Sequence, residues 1–146
     1  MIYRSIVDTF FIIFISITVL ITGAVTLIPP FIDKEASISI VITMSAIFMI
    51  SAGFILWTAF SIKYVFYEDY LLVKGGPFRS KIPYQTITKA SPTNDIFTGY
   101  RILSSRNGLE LFYKSALLGS VKISPKDRKE FITELKKRCP NAVIQE

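Results

Sequence analysis

Two long apolar runs without a single Asp, Glu, Lys or Arg constrain this chain most: Thr9–Ile28 and Ile38–Ser61. At ~1.5 Å of rise per residue, a helix over the first would extend roughly 30 Å and one over the second about 36 Å, enough to cross the hydrocarbon core of a bilayer. Two core helices of this length and apolarity would be difficult to bury in a protein of 146 residues. The sequence therefore predicts a membrane hairpin of two transmembrane helices, with Pro29 and Pro30 ending the first.

A cleaved signal peptide over residues 1–25 is the competing interpretation of the first run. The apolar run is longer than the ~7–15 residues usual for such peptides, the residues before it carry little positive charge, and no clear A-x-A cleavage site follows. We therefore favour a retained helix.

Small side chains recur seven residues apart in both runs, which places each pair on one helix face. The pairs are Ser16 with Gly23, Ser45 with Ala52, and Ala46 with Gly53. Small residues allow helix backbones to approach closely in a membrane, so these pairs predict the seam between the two helices.

Charge is distributed unevenly along the chain. Up to Ile62 there are two cations and three acidic residues, whereas from Lys63 onward 15 Lys and Arg stand against 8 Asp and Glu. The cations that flank the predicted crossings are Arg4, Lys63, Lys74, Arg79 and Lys81. Because positive residues near a crossing favour the cytoplasm, we expect a protein of the cell membrane with both termini cytoplasmic and the Asp33–Glu35 loop outside. Tyr3 and Arg4 are expected to act as interfacial anchors.

After Lys63 the chain changes to short β-favouring runs separated by turn signals, which predict seven strands. They are Tyr64–Tyr67, Leu71–Lys74, Phe78–Ile82, Ile87–Ala90, Tyr100–Ser104, Leu109–Lys114 and Ser120–Ile123. Asn107-Gly108 tolerates the positive φ angles of a tight turn, so the fifth and sixth strands are predicted to form a hairpin.

A helix is predicted after the last strand. Ser124 is a suitable N-cap and Pro125 suits the first helical position. The apolar residues form one stripe at helical spacing: Phe131, Ile132, Leu135 and Cys139. The sequence thus predicts a helical hairpin over residues 1–62 and a small α+β domain over residues 63–146.

The order of seven strands followed by an amphipathic helix is the layout of pleckstrin-homology-like (PH-like) domains. Three stretches, Tyr67–Arg79, Ile82–Ile87 and Ile123–Asp127, give this part of the chain a more specific likeness. It resembles the bacterial PH-like domains that follow membrane helices in small membrane proteins. The resemblance implies a seven-stranded antiparallel barrel or sandwich closed by the C-terminal helix.

That group includes small membrane proteins similar to immunity proteins for the peptide bacteriocin sublancin. The resemblance therefore implies a non-enzymatic membrane protein that confers immunity to a bacteriocin-type peptide. This chain departs from those proteins in having two predicted crossings rather than one anchor. The alternative is a membrane-tethered scaffold that binds another envelope protein or anionic lipid headgroups.

Residues for catalysis, metal binding or cofactor binding are scarce. The chain has no His, and its single cysteine, Cys139, lies on the apolar helix stripe, where a structural thiol is expected. Glu68-Asp69 is an isolated pair that fits a turn, and Gly75-Gly76-Pro77 lacks the pattern of a phosphate loop. We therefore expect no enzymatic activity, no metal and no cofactor.

The basic residues Lys63, Arg79 and Lys81 are the candidate site residues, because they follow the second crossing and could face lipid headgroups. The other interpretation is ordinary solvated charge that only sets the topology. Nucleic acid is disfavoured despite the Phe112-Tyr113-Lys114 segment, since a membrane anchor and scattered cations fit it poorly. The expected partners are the lipid bilayer and a protein or peptide, and the oligomeric state is left open.

Overall fold

The computed structural model describes residues 1–116 and 118–145. Two long apolar helices, α1 (Thr9–Ile32) and α2 (Ile38–Phe60), pack against each other as a hairpin and confirm that part of the predicted architecture. Both are long and apolar enough to cross a membrane.

The prediction that Pro29 and Pro30 end the first helix is wrong. The helix continues through both prolines to Ile32, and the N–H of Asp33 still reaches the carbonyl of Pro29 at 3.1 Å. A proline ring fixes φ near −65°, which is a helical value, so both rings fit the helical backbone although their nitrogens cannot donate to the carbonyls four residues earlier.

On α2 the seam with α1 runs along only one of the two predicted pairs. Ser45 is half-buried and Ala52 is buried, whereas Ala46 and Gly53 are exposed. A Cβ added at Gly53 would meet nothing within 4 Å.

On α1 the seam includes Gly23 but not Ser16, which is exposed. A Cβ added at Gly23 would lie 3.1 Å from a ring carbon of Phe48 on α2. The absence of a side chain at Gly23 therefore makes room for that ring. Of the predicted pair Ser16 and Gly23, only Gly23 lies in the contact between the helices.

Four antiparallel strands form the first sheet, in the order β1-β2-β3-β4. They are β1 (Ile2–Arg4), β2 (Lys63–Phe66), β3 (Tyr70–Gly75) and β4 (Phe78–Pro83). Strand β1 was not predicted, and Tyr3 lies in the core at 6% exposure rather than at an interface. Tyr3 packs edge-on against Phe66 and Phe131, which fixes the residues before α1 to the domain.

The remaining strands form a mixed sheet in the order β6-β8-β7-β5-β9. They are β5 (Ile87–Thr93), β6 (Tyr100–Ile102), β7 (Gly108–Tyr113), β8 (Ser120–Ile123) and β9 (Val143–Ile144). Strand β6 runs parallel to β8 and β9 runs parallel to β5. The described residues thus contain nine strands rather than seven, because the N-terminal strand and the short β9 add to the predicted set.

The predicted Asn107-Gly108 hairpin is wrong, because β8 lies between β6 and β7. Neither residue adopts a positive φ. The backbone before them is held by side chains instead: the N–H of Arg106 donates to Asp8 and the N–H of Ser104 donates to Ser124. These long-range bonds replace the pairing that a tight turn would have given.

The C-terminal helix α3 spans Arg128–Arg138 and begins later than expected. Ser124 is therefore not its N-cap; the side chain is fully buried and bonds within the domain, and Asp127 precedes the first helical residue. The predicted apolar stripe is confirmed, since all four of its residues are buried in the core between the sheets and the helix: Phe131, Ile132, Leu135 and Cys139. Two apolar helices followed by a β-sheet domain with a C-terminal helix are thus the observed architecture.

Candidate membrane-facing site

The start of α1 is fastened to the domain by Asp8. Its carboxylate accepts the N–H of Phe11 at 2.8 Å, which caps the helix, and the N–H of Arg106 at 2.7 Å. Burial raises the pKa of the Asp8 carboxyl, but the two backbone donors outweigh burial and hold the pKa below its ordinary value. The helix therefore begins at a fixed point on the domain surface.

A buried hydroxyl cluster fastens the residues before α1 to strands β6 and β8. The Oγ of Ser5 lies 2.7 Å from the Oγ of Ser124 and accepts from the Oγ of Ser104 at 2.8 Å. The hydroxyl of Tyr64 donates to the carbonyl of Ile102 at 2.7 Å and accepts the N–H of Ser124 at 2.9 Å. Burial raises the pKa of Tyr64, so this hydroxyl stays protonated and can donate.

The end of α2 contacts the turn between β3 and β4. Gly76 adopts φ +56°, and its N–H donates to the Oγ of Ser61 at 2.7 Å. A Cβ on Gly76 would lie 2.8 Å from the Cγ2 of Thr58. Because both helix ends meet the domain, the linker between the helices lies at the far end of the hairpin.

Four cations lie next to one another across the first sheet, and we call them the basic row: Arg4, Lys63, Lys74 and Arg79. The strand register pairs Arg4 with Lys63, Lys63 with Lys74, and Lys74 with Arg79. Register partners point to the same face of a sheet, so the four side chains share one side, at the sheet end nearest the helices.

Like charges on opposed strand positions repel and destabilise a sheet. None of the four forms an ion pair with another residue that the structure describes. The basic row is thus a local concentration of positive charge that an anion would stabilise.

Of the predicted site residues, the structure brings Lys63 and Arg79 together in the basic row. Lys81 lies on the same face of β4 but further from the helices, and its Nζ is 5.5 Å from the centre of the Tyr70 ring. Sequence reasoning missed that Arg4 and Lys74 complete the row. The register of the hairpin around Gly75–Pro77 could have predicted that Lys74 lies beside Arg79. No local sequence pattern predicts that Arg4 lies beside Lys63, because β1 is distant from β2 along the chain.

A groove of about 630 Å³ opens beside the basic row, between the end of α2 and residues 4–7. Three cations line it, Arg4, Lys63 and Lys126, together with the hydroxyl-bearing Ser5 and Ser61. Cationic groups and hydroxyls are the side-chain donors that bind phosphate oxygens.

The outer faces of α1 and α2 are covered with exposed large apolar side chains, and few of their residues are buried. These are Pro30 in α1 and Ala52 and Ala59 in α2. A core helix of a water-soluble protein would have one face buried, and an exposed apolar surface of this extent indicates contact with a membrane or another protein.

The single thiol is not a candidate nucleophile. Cys139 is 4% exposed, and burial raises its pKa to about 11, with a smaller opposing effect from Arg138. In the described part of the chain no group of three or more His, Cys, Asp and Glu side chains is placed to hold a metal ion.

Comparison with known proteins gives a family and one relative. A family model described as Bacterial PH domain matches residues 62–139. The uncharacterized protein YyaB of Bacillus subtilis (strain 168) is 34% identical over 92 residues. That match covers 63% of this chain and 62% of YyaB, so the chain matches less than two thirds of its relative. No solved structure matches. Neither match concerns immunity to a bacteriocin.

Proposed function

The chain belongs to the bacterial PH domain family, and from that premise we propose a membrane-anchored binding protein rather than an enzyme. In this proposal α1 and α2 cross the cell membrane as a hairpin and hold the domain of residues 63–146 at the cytoplasmic face. Strand β1 lies on the same side. The lipid bilayer is its first partner, and the domain supplies the surface that binds.

The basic row is the observation that carries the proposal. Arg4 precedes the first residue of α1 by five positions, and Lys63 follows the last residue of α2 by three. If the helices span the bilayer, all four cations lie at the level of the headgroups. A cation close to an anionic leaflet gains ~1 kcal/mol. Anionic headgroups would also offset the repulsion among the four charges.

The number and exposure of apolar residues on the helices support the spanning arrangement. The most apolar stretches of α1 and α2 are almost wholly unburied. In water such a surface would be costly at about 25 cal/mol per Å² of apolar area, whereas lipid removes that cost.

Hydrogen exchange in vesicles tests the headgroup contact. We expect the amides of edge strand β4 to exchange more slowly when the full-length protein is in vesicles containing phosphatidylglycerol than in phosphatidylcholine alone. The double variant Lys63→Gln/Arg79→Gln should lose this difference. The control Lys114→Gln/Lys129→Gln removes the same charge from exposed positions outside the row and should keep it.

Equal exchange of β4 in both vesicle types for the unmodified protein would contradict the headgroup contact. The same loss in the control pair would mean that net charge, and not the basic row, is responsible.

Immunity to a bacteriocin-type peptide is the finer role that the sequence resemblance implies, and it stays a prediction. Expression of the full chain in a sensitive strain should raise the inhibitory concentration of one peptide by several-fold. An unchanged response to every peptide of a panel, with the protein detected in the membrane fraction, would contradict it.

A scaffold that binds another envelope protein is the alternative. Strand β4 is an edge of the first sheet, with exposed Arg79 and Lys81, and edge strands can pair with a partner chain. Site-specific photocross-linking from Lys81 in cells should then yield one recurring protein adduct, and lipid adducts alone would count against this role.

A further inference from the structure

A second cavity, which we call the apolar cleft, lies where the helices meet the domain. It has a volume of about 360 Å³, within the range of about 300–1,000 Å³ usual for ligand pockets. The helices contribute Phe10, Phe14 and Ile55 to its wall, and the domain contributes Phe78, Phe97 and Tyr100.

The loop between β5 and β6 forms one side of the apolar cleft and is held in place from within. The Nζ of Lys122, which is almost fully buried, lies 2.8 Å from the Asp95 carboxylate and 2.9 Å from the carbonyl of Thr98. The same carboxylate accepts the N–H of Phe97 at 3.1 Å and the hydroxyl of Thr98. Phe97 is nevertheless 66% exposed, so this fixed loop presents an aromatic ring outward instead of burying it.

The apolar cleft is continuous with the outer surface of α1. Phe14 is half-exposed on that helix and also lines the cleft. Residues 10–15 occupy the first two turns of α1, about 2–9 Å from its start. In a spanning hairpin this is the boundary between headgroups and acyl chains, where aromatic side chains are enriched.

A cation lies at the rim of the apolar cleft. One Nη of Arg101 donates to the carbonyl of Ile96 at 2.7 Å. A guanidinium has five N–H donors, so others remain for an anion. The side chains of Lys74 and Arg79 in the basic row point to the opposite face of the first sheet from Phe78, because neighbours along a strand alternate faces, so Arg101 is the cation that lines the cleft. The surroundings thus match an amphiphile with an apolar chain and an anionic head.

We propose that the apolar cleft takes an acyl chain of a phospholipid from the cytoplasmic leaflet, with Arg101 beside the lipid phosphate. The inference rests on the proposed function, because it requires the hairpin to span the bilayer. It adds a specific lipid site to the general contact made by the basic row.

Fluorescence quenching by lipids with brominated acyl chains tests the site in the full-length protein. Trp57 is the only tryptophan, so reporters are placed in a Trp57→Phe background. Tyr100→Trp and Phe78→Trp put the reporter in the cleft wall, and Tyr67→Trp puts the control at the far end of the first sheet. We expect the cleft reporters to lose at least half as much emission as native Trp57 loses, and the control to lose almost none.

The outcomes separate this inference from the proposed function. If Trp57 is quenched but neither cleft reporter exceeds the control, no acyl chain enters the cleft, whether it is closed or filled by protein, and the inference is overturned. If Trp57 itself is not quenched, the hairpin is not in lipid and both proposals fail.

Discussion

Gly76 decides how closely the domain approaches the end of α2. Its backbone has a positive φ, which an L side chain adopts only with strain, and its missing Cβ leaves space for Thr58. The chain offers a matched comparison in Gly119, which has φ +81° but nothing within 4 Å of an added Cβ. Comparing the cost of an alanine at Gly76 with its cost at Gly119 therefore separates the effect of backbone strain from the effect of contact with α2.

Gly76→Ala is expected to lower the free energy of unfolding by about 1–3 kcal/mol, because strain and the clash with Thr58 add. Gly119→Ala should cost less, since it carries only the strain. Denaturant unfolding of the purified protein in detergent, followed by Tyr and Trp fluorescence, measures both. Equal losses would show that the contact with Thr58 contributes nothing.

The reactivity of Cys139 follows from its burial. With a pKa of about 11, only ~0.1% of the thiol is ionised at pH 8, and the thiolate is the reactive form. Iodoacetamide should therefore label the folded protein far more slowly at pH 8 than the unfolded protein, and the rate should rise as the pH increases toward 11. Labelling of the folded form at the rate of an exposed thiol would contradict the packing of α3.

Among the elements, the two apolar helices depend on a narrow seam. Gly23 on α1 receives the ring of Phe48 from α2, whereas Gly53 faces away from the partner helix. Small residues matter in such pairs because lipid offers no hydrophobic drive between helices, so association depends on close packing.

Gly23→Ile is expected to lower the melting temperature of the full-length protein in detergent by several degrees, because Phe48 must move. Gly53→Ile is the control and should change it little. A circular-dichroism melt of both variants gives the comparison. If the two variants melt alike, the seam is not at Gly23.

Local patterns in the sequence predicted the elements better than their pairing. The apolar stripe of α3 is confirmed, because it depends only on neighbours along the chain. The Asn107-Gly108 hairpin is wrong because Asp8, about a hundred residues away, binds the backbone of Arg106. Such competition between a local turn and a distant acceptor has no signature in a short window of sequence.

The same limit applies to the candidate site. Lys63 and Arg79 could be predicted from their place after the second helix. Arg4 joins them only through β1, whose pairing with β2 spans the whole helical hairpin. The basic row is therefore a property of the sheet register rather than of any basic cluster in the sequence.

In the whole molecule, the start of α1 and the end of α2 both contact the same domain. The linker between the helices therefore lies at the opposite end of the hairpin from the domain. In a spanning hairpin the domain and residues 1–8 lie on one side and residues 33–37 lie on the other. The excess of cations in the domain favours the cytoplasm for it.

Cysteine labelling in intact cells tests this topology. In a Cys139→Ser background, Lys34→Cys should react with a membrane-impermeant maleimide in intact cells. Lys114→Cys, which is exposed on the domain, should react only after permeabilisation. The reverse pattern would place the domain outside, and labelling of both in intact cells would exclude a spanning hairpin.

Strand β1 also has a consequence for biosynthesis. Its partner β2 is translated roughly 60 residues later, a delay of about 3–12 s at ~5–20 residues per second. During that interval both helices are translated, and residues 2–4 have no strand to join. Strand β1 is thus made before both helices and stays unpaired until β2 follows them, and a ribosome that pauses between the helices would leave it unpaired for longer.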